Sequence, residues 1–125
     1  MSHARIKISW PKGALSAMLE DTPTARAFVA ALPVTASAQT WGEEVYFEIP
    51  VKVTLEKDAK QVLPPGTVCF WVEGSSLALP FGRTPASEGN EPKLVTRCNV
   101  LGRIDGDPRQ FASVSSGDAI TVTLE

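Results

Sequence analysis

The residues with the most chemical potential stand in T-W-G-E-E-V-Y-F-E-I-P-V, Thr40 to Val51, where Glu43 and Glu44 are adjacent and Glu48 follows. Two carboxylates close in space push their pKa values apart and can divide acid and base roles between them. Strand geometry speaks against such a dyad here. Successive side chains on a strand face opposite ways, so Glu43 and Glu44 point apart. Glu44 and Glu48 share a face but lie on the order of 13 Å apart along it. Glu44 is then a single base or hydrogen-bond acceptor, with Tyr46 beside it on the same face. The plainer alternative is a solvated strand face, with Glu43 or Glu44 binding backbone amides near Gly42.

Other side chains offer binding chemistry. Trp71 alternates with Val68, Phe70 and Val72 and shares its face with Cys69 and Glu73. The branched aliphatic face is the expected interior, which puts Trp71 outside, under a helix, under a loop or lining a groove. Phe81-Gly82-Arg83-Thr84-Pro85 opens a loop running to Pro92. Gly82 allows close backbone approach, and Arg83 carries a planar donor fork suited to a carboxylate or phosphate, or to a neighbouring glutamate. Asn99 offers both donor and acceptor, either to a ligand or to an adjoining strand.

Several chemistries have no residues to carry them. His3 is the sole histidine and sits near a terminus, and Cys69 and Cys98 lack zinc-site spacing. No G-x-S-x-G, phosphate-binding loop or G-x-G-x-x-G is present. We therefore assign no catalytic residue, no metal and no cofactor. Twelve basic against fourteen acidic residues give a net charge of −2 and a pI near 5.4 without any basic run, which excludes nucleic acid as the expected partner. The first residues lack a signal-like apolar core, and the longest uncharged stretch, 27–42, contains Pro33 and cannot span a bilayer. The expectation is a cytoplasmic protein with reduced cysteines and no membrane partner; a homo-oligomer is left open.

The elements that must position these residues are mostly strands. The chain of 125 residues is long enough for one domain, 1–125, and ten prolines and nine glycines punctuate it at short intervals. Period-2 alternation predicts strands at 6–10, 14–19, 34–38, 68–72, 77–81, 94–104 and 120–124. The longest alternation, Val45 to Leu55, predicts one bent strand or two sharing a corner at Pro50. Thr22-Pro23 starts a helix over about 23–32, with Ala25, Phe28, Val29 and Leu32 on one face. A second helical turn fits about 108–112. About eight strands and one helix make a mainly β domain, a small barrel or sandwich.

Three stretches together resemble a known family. T-W-G-E-E-V-Y-F-E-I-P-V, F-W-V-E-G-S-S-L-A-L-P-F-G-R-T-P and N-V-L-G-R-I are similar, in order and spacing, to the small prokaryotic cyclophilin-like family of unknown function. The resemblance implies a closed cyclophilin-like β-barrel with a helix packed at its end. Prolyl-isomerase cyclophilins read F-H-R-I-I-P where this chain has V-Y-F-E-I-P. Aligned on the proline, their arginine position falls on Phe47, with Glu48 next, so the cation that polarises the prolyl amide is missing. A surface groove using Glu44, Tyr46, Trp71, Phe81, Arg83, Thr84 and Asn99 to hold a small molecule or peptide segment is the reading that remains. An atypical prolyl isomerase, or another small-substrate enzyme on the same groove, is its alternative.

Overall fold

A computed structural model describes residues 4–125; His3 lies outside them. Its strands are β1 (Ala4–Trp10), β2 (Gly13–Leu19), β3 (Val34–Ser37), β4 (Gln39–Thr40), β5 (Glu44–Glu48), β6 (Lys60–Val62), β7 (Thr67–Trp71), β8 (Ser76–Pro80), β9 (Lys93–Asp105) and β10 (Ala119–Leu124). Between β2 and β3 lies helix α1 (Pro23–Ala30). The Thr22 side chain caps it by accepting from the Ala25 N–H, and Pro23 occupies the first turn, as the sequence predicts. The helix stops two residues short of the expected end. The predicted second turn is a 3-10 helix, Pro108–Ser113, capped by the Asp107 side chain.

Neighbouring strands run in the order β3-β10-β1-β2-β9-β7-β8-β5-β4, with β6 attached to β9. The sheet rolls around a core that includes Ile6, Ile8, Phe28, Phe47, Phe70, Leu77, Leu101 and Ile120. Each such side chain, taken fully out of water, contributes roughly 1.5–3 kcal/mol. Trp10, Phe81 and Phe111 pack in tilted pairs, with ring centroids at 5.2 and 6.3 Å from Phe111.

Two expectations need correction. The ladder does not close into a barrel: among the described residues no hydrogen-bonded pairing joins β3 to β4, the two ends of the order. They are instead consecutive in sequence, so the chain itself crosses the seam at Ala38. Ala38 is fastened on one side by its N–H to the Asp118 carbonyl and by its carbonyl to the Gly117 N–H, both at 2.8 Å. There are also ten strands rather than about eight, because β4 and β6 have only two and three residues and show no legible alternation.

The long alternation after Val45 ends early too. β5 stops at Glu48, and residues 49–59 carry no regular pairing. Pro50 has no N–H for a ladder, and the Val51 N–H turns back to the Ile49 carbonyl at 2.8 Å. Ile49 and Val51 still reach the core, whereas Leu55 is 40% exposed.

A smaller cluster lies on the outer face of the sheet. Leu63, Cys69, Ala78, Leu94 and Cys98 pack there against Tyr46, Trp71 and Val100. It exists because β9 serves three partners: its later residues pair with β2 and β7, its earlier ones with β6. The β6–β9 ribbon contributes Leu63, Leu94 and Cys98 to the cover over β7 and β8. This ribbon forms one wall of the site.

Candidate functional site

The W-G-E-E stretch is the connection between β4 and β5. The Trp41 N–H bonds the Glu44 carbonyl at 3.0 Å, and Gly42 takes a positive φ of 60° that turns the chain. A Cβ on Gly42 would lie 2.9 Å from the Arg83 carbonyl and from Pro85 and Thr84, so this turn rests directly on the F-G-R-T-P segment. The two adjacent glutamates then part. Glu43 clamps the loop: its Oε1 accepts the Arg83 N–H at 2.9 Å, and its carbonyl accepts the Phe81 N–H at 2.9 Å. Glu44 goes the other way, to the outer face of the sheet.

There it meets a cleft of about 140 Å³ lined by Trp41, Glu44, Tyr46, Trp71, Ala78, Leu94, Val95 and Cys98. That is close to the volume of an apolar cavity that accommodates benzene, about 150 Å³. Strand register makes the hollow. Tyr46 stands opposite Ala78, and Ala78 opposite Cys69, so small side chains separate Tyr46 from Trp71 across the sheet. The two rings meet edge to face at 6.2 Å. The ribbon side is closed by Leu94, Val95 and Cys98.

The walls are almost wholly apolar, and two buried polar atoms within them are unsatisfied. Glu44 is 7% exposed, and its Oε1 is buried with no hydrogen-bond partner; the same holds for the Trp71 indole Nε1. Burial pushes the Glu44 carboxyl up from 4.5 to about 7, since no cation or donor offsets the lost hydration. Burial likewise raises the Cys69 thiol, with Cys98 and Glu44 adding to it, and pushes Cys98 up to about 12. Both cysteines are free, and at neutral pH they are thiols.

Of the seven residues expected to bind, three converge on this cleft: Glu44, Tyr46 and Trp71. The other four lie elsewhere. Phe81 packs inward in the core. The Arg83 guanidinium is exposed and donates to the Gly89 carbonyl within its own loop, away from Glu44. Thr84 is buried and organises that loop, donating to the Lys93 carbonyl and accepting the Ala86 N–H. Asn99 is 0% exposed: its Nδ2 donates to Thr24 Oγ1 and the Thr54 carbonyl, at 2.9 and 3.0 Å, and its Oδ1 accepts the Glu56 N–H at 2.8 Å. That network ties α1, the 50–59 segment and β9 together.

Leu94, Val95, Cys98 and Ala78 line the cleft without having been singled out by sequence. Ala78 had only a faint signal, a small residue between Leu77 and Leu79 in an apolar strand. The ribbon residues had none, because their position depends on β9 changing partners. Among the described residues, no group of three or more His, Cys, Asp or Glu side chains is placed to hold a metal ion, and no helix is long and apolar enough to cross a membrane.

A family model described as cyclophilin-like matches residues 4–123, nearly the whole described chain. The chain belongs to the cyclophilin-like family. The solution structure of the hypothetical protein AF2241 from Archaeoglobus fulgidus is similar to it, with 31% identity and a TM-score of 0.83, covering 98% of this chain and 95% of that one. A comparison with curated proteins found no match. Within the cyclophilin-like fold, Phe47 is fully buried in the core, so the position aligned with the isomerase arginine does not reach the surface at all. Its outward neighbours, Tyr46 and Glu48, carry no cation.

Proposed function

We propose that this cyclophilin-like protein binds a small molecule in the outer-face cleft, with Glu44 as its polar anchor and Trp41, Tyr46 and Trp71 as its walls. The observation that carries this reading is the buried Glu44 Oε1 without a partner in an otherwise apolar hollow. An unsatisfied acceptor costs about 1–3 kcal/mol, and a ligand that donates to it recovers that cost. A cleft closed mainly by side chains, with a few convergent polar atoms, is the usual anatomy of a small-molecule site. In this reading the protein works in the cytoplasm, where Cys69 and Cys98 remain reduced.

A panel of ring-sized fragments, followed by Trp and Tyr side-chain NMR signals, tests this. The expected outcome is that shifts gather on Trp41, Tyr46 and Trp71. Val95→Phe, at an exposed position on the rim, blocks them with a stability change within about 0.5 kcal/mol. Fragments that perturb other surfaces and leave these three rings silent would sink the reading.

A second reading has one observation in its favour. A carboxyl that titrates near 7 is suited to proton transfer at neutral pH, so Glu44 could act as acid and base on a bound substrate. In that case Glu44→Gln removes turnover while fragments still bind. Prolyl isomerisation is the less suitable reaction, and no acceleration of a standard prolyl-peptide assay is expected.

A further inference from the structure

The cleft does not end at Tyr46 and Trp71. Both side chains also border a second, open groove, completed by Ala36, Ser37, Gln39, Glu48, Gly74 and Ser76. Cleft and groove thus flank one aromatic ridge, and each holds one carboxyl group, Glu44 in the first and Glu48 in the second. Neither lining contains Lys, Arg or His. The groups facing Glu44 from its own strand and from β7 and β9 are Tyr46, Cys69 and Cys98, with Glu73 beyond Trp71 adding a further negative charge felt at Cys98. Among the described residues neither Glu44 nor Glu48 has an ion-pair partner.

One sign of charge, a buried acceptor and the π faces of aromatic rings favour a cation and repel an anion. Register adds a length. Glu44 and Glu48 are four residues apart on one strand face, on the order of 13 Å, with Tyr46 midway. A ligand matching this tract carries two positive ends and an apolar middle.

We propose that cleft and groove together hold a linear aliphatic diamine or polyamine, one ammonium against Glu44, another against Glu48, and the methylene chain over Tyr46 and Trp71. The assignment rests on the small-molecule reading above and names its ligand class. Ammonium N–H groups supply the donor that Glu44 Oε1 lacks, and the chain lies on aromatic surface as lysine stems do. An amine leaves the Trp71 N–H unanswered, so its advantage has to come from charge, which uncharged probes can measure.

The test is calorimetric titration of the full chain with α,ω-diaminoalkanes of graded length, n-alkylamines and α,ω-diols. Diamine affinity is expected to rise with length to a maximum at the span between the two carboxylates, above alkylamine and diol of equal length. Glu48→Gln lowers the affinity of that diamine about two- to fivefold, the range of an exposed ion pair, and costs the alkylamine less. Glu44→Gln lowers it about tenfold or more. Because the bound ammonium requires the Glu44 carboxylate, diamine binding releases a proton and weakens as pH falls below about 7, while diol binding does not. Diols that bind as tightly as diamines, or diamine affinity indifferent to both substitutions, would overturn the assignment. The cleft reading then stands if Val95→Phe still blocks the diol. If Val95→Phe blocks no probe, the cleft itself fails.

Discussion

Glu44 shows how one residue can carry opposite demands. Its backbone completes β5 and its carbonyl closes the turn to Trp41, while its carboxyl occupies apolar surroundings without a donor. Burial raises its folded pKa above the ordinary 4.5, to about 7. The uncharged form is thus the one the fold favours. That preference is fully present below about pH 4.5 and is lost as pH rises through about 7, where ionisation must occur inside the cleft. Glu44→Gln removes the dependence. We expect the variant and the native protein to differ little at pH 4 and the variant to be the more stable at pH 8, by at most about 3 kcal/mol. Urea unfolding at both pH values measures it, and equal pH slopes for the two proteins would contradict it. The sequence allowed the separation of Glu43 from Glu44 to be read from strand alternation. It did not show that Glu44 is buried, because that depends on the β6–β9 ribbon, formed by residues far along the chain.

Among the elements, β9 does the most to organise the molecule, and Asn99 is its most connected polar residue. The sequence marked Asn99 as a donor and acceptor for a ligand or an adjoining strand, and the residue is polar in its contacts, but they lie inside. A register irregularity between Val68 and Cys69, where Gly102 and Val100 are their partners, alters which β9 side chains look inward. Such a bulge leaves no trace in a period-2 pattern. Asn99 then joins Thr24 of α1, Thr54 and Glu56, giving the irregular 50–59 segment the hydrogen bonds it lacks from any ladder. Asn99→Ala strands the Glu56 N–H and the Thr54 carbonyl. The expected cost is about 2–4 kcal/mol in thermal unfolding, with fragment binding in the cleft preserved. Loss of binding with unchanged stability would instead make Asn99 part of the site. The helix and the paired strands β1 and β2 were legible in advance, because capping and short-range alternation alone determine them.

At the scale of the whole molecule, a mainly β domain was readable from punctuation and periodicity, but closure was not. Whether the last strand finds the first is decided by accumulated twist and register, not by any single run of residues. Here β3 and β4 each use one side for pairing, with β10 and with β5, and among the described residues no strand pairs with the other side. Hydrogen exchange is therefore expected to be fastest, within the sheet, over 34–40 and in β6, which pairs only with β9, and slowest in β1, β2 and the part of β9 paired on both sides. Equal protection at 34–40 and in β1 would show a ring closed by hydrogen bonds.

A ring cut once behaves like a split collar. Pressed from outside, an uncut band resists everywhere, while a collar yields at its gap and leaves the rest of the band undeformed. The gap here is crossed by the chain at Ala38, anchored to the Gly117–Asp118 turn, with a hydrogen bond from Ser116 Oγ to Gln39 Oε1 at 3.4 Å beside it, and Ala36, Ser37 and Gln39 form one bank of the groove that faces Glu48. Deformation of the sheet is therefore expected at this bank of the groove before it reaches the packed interior around Phe47 and Phe70.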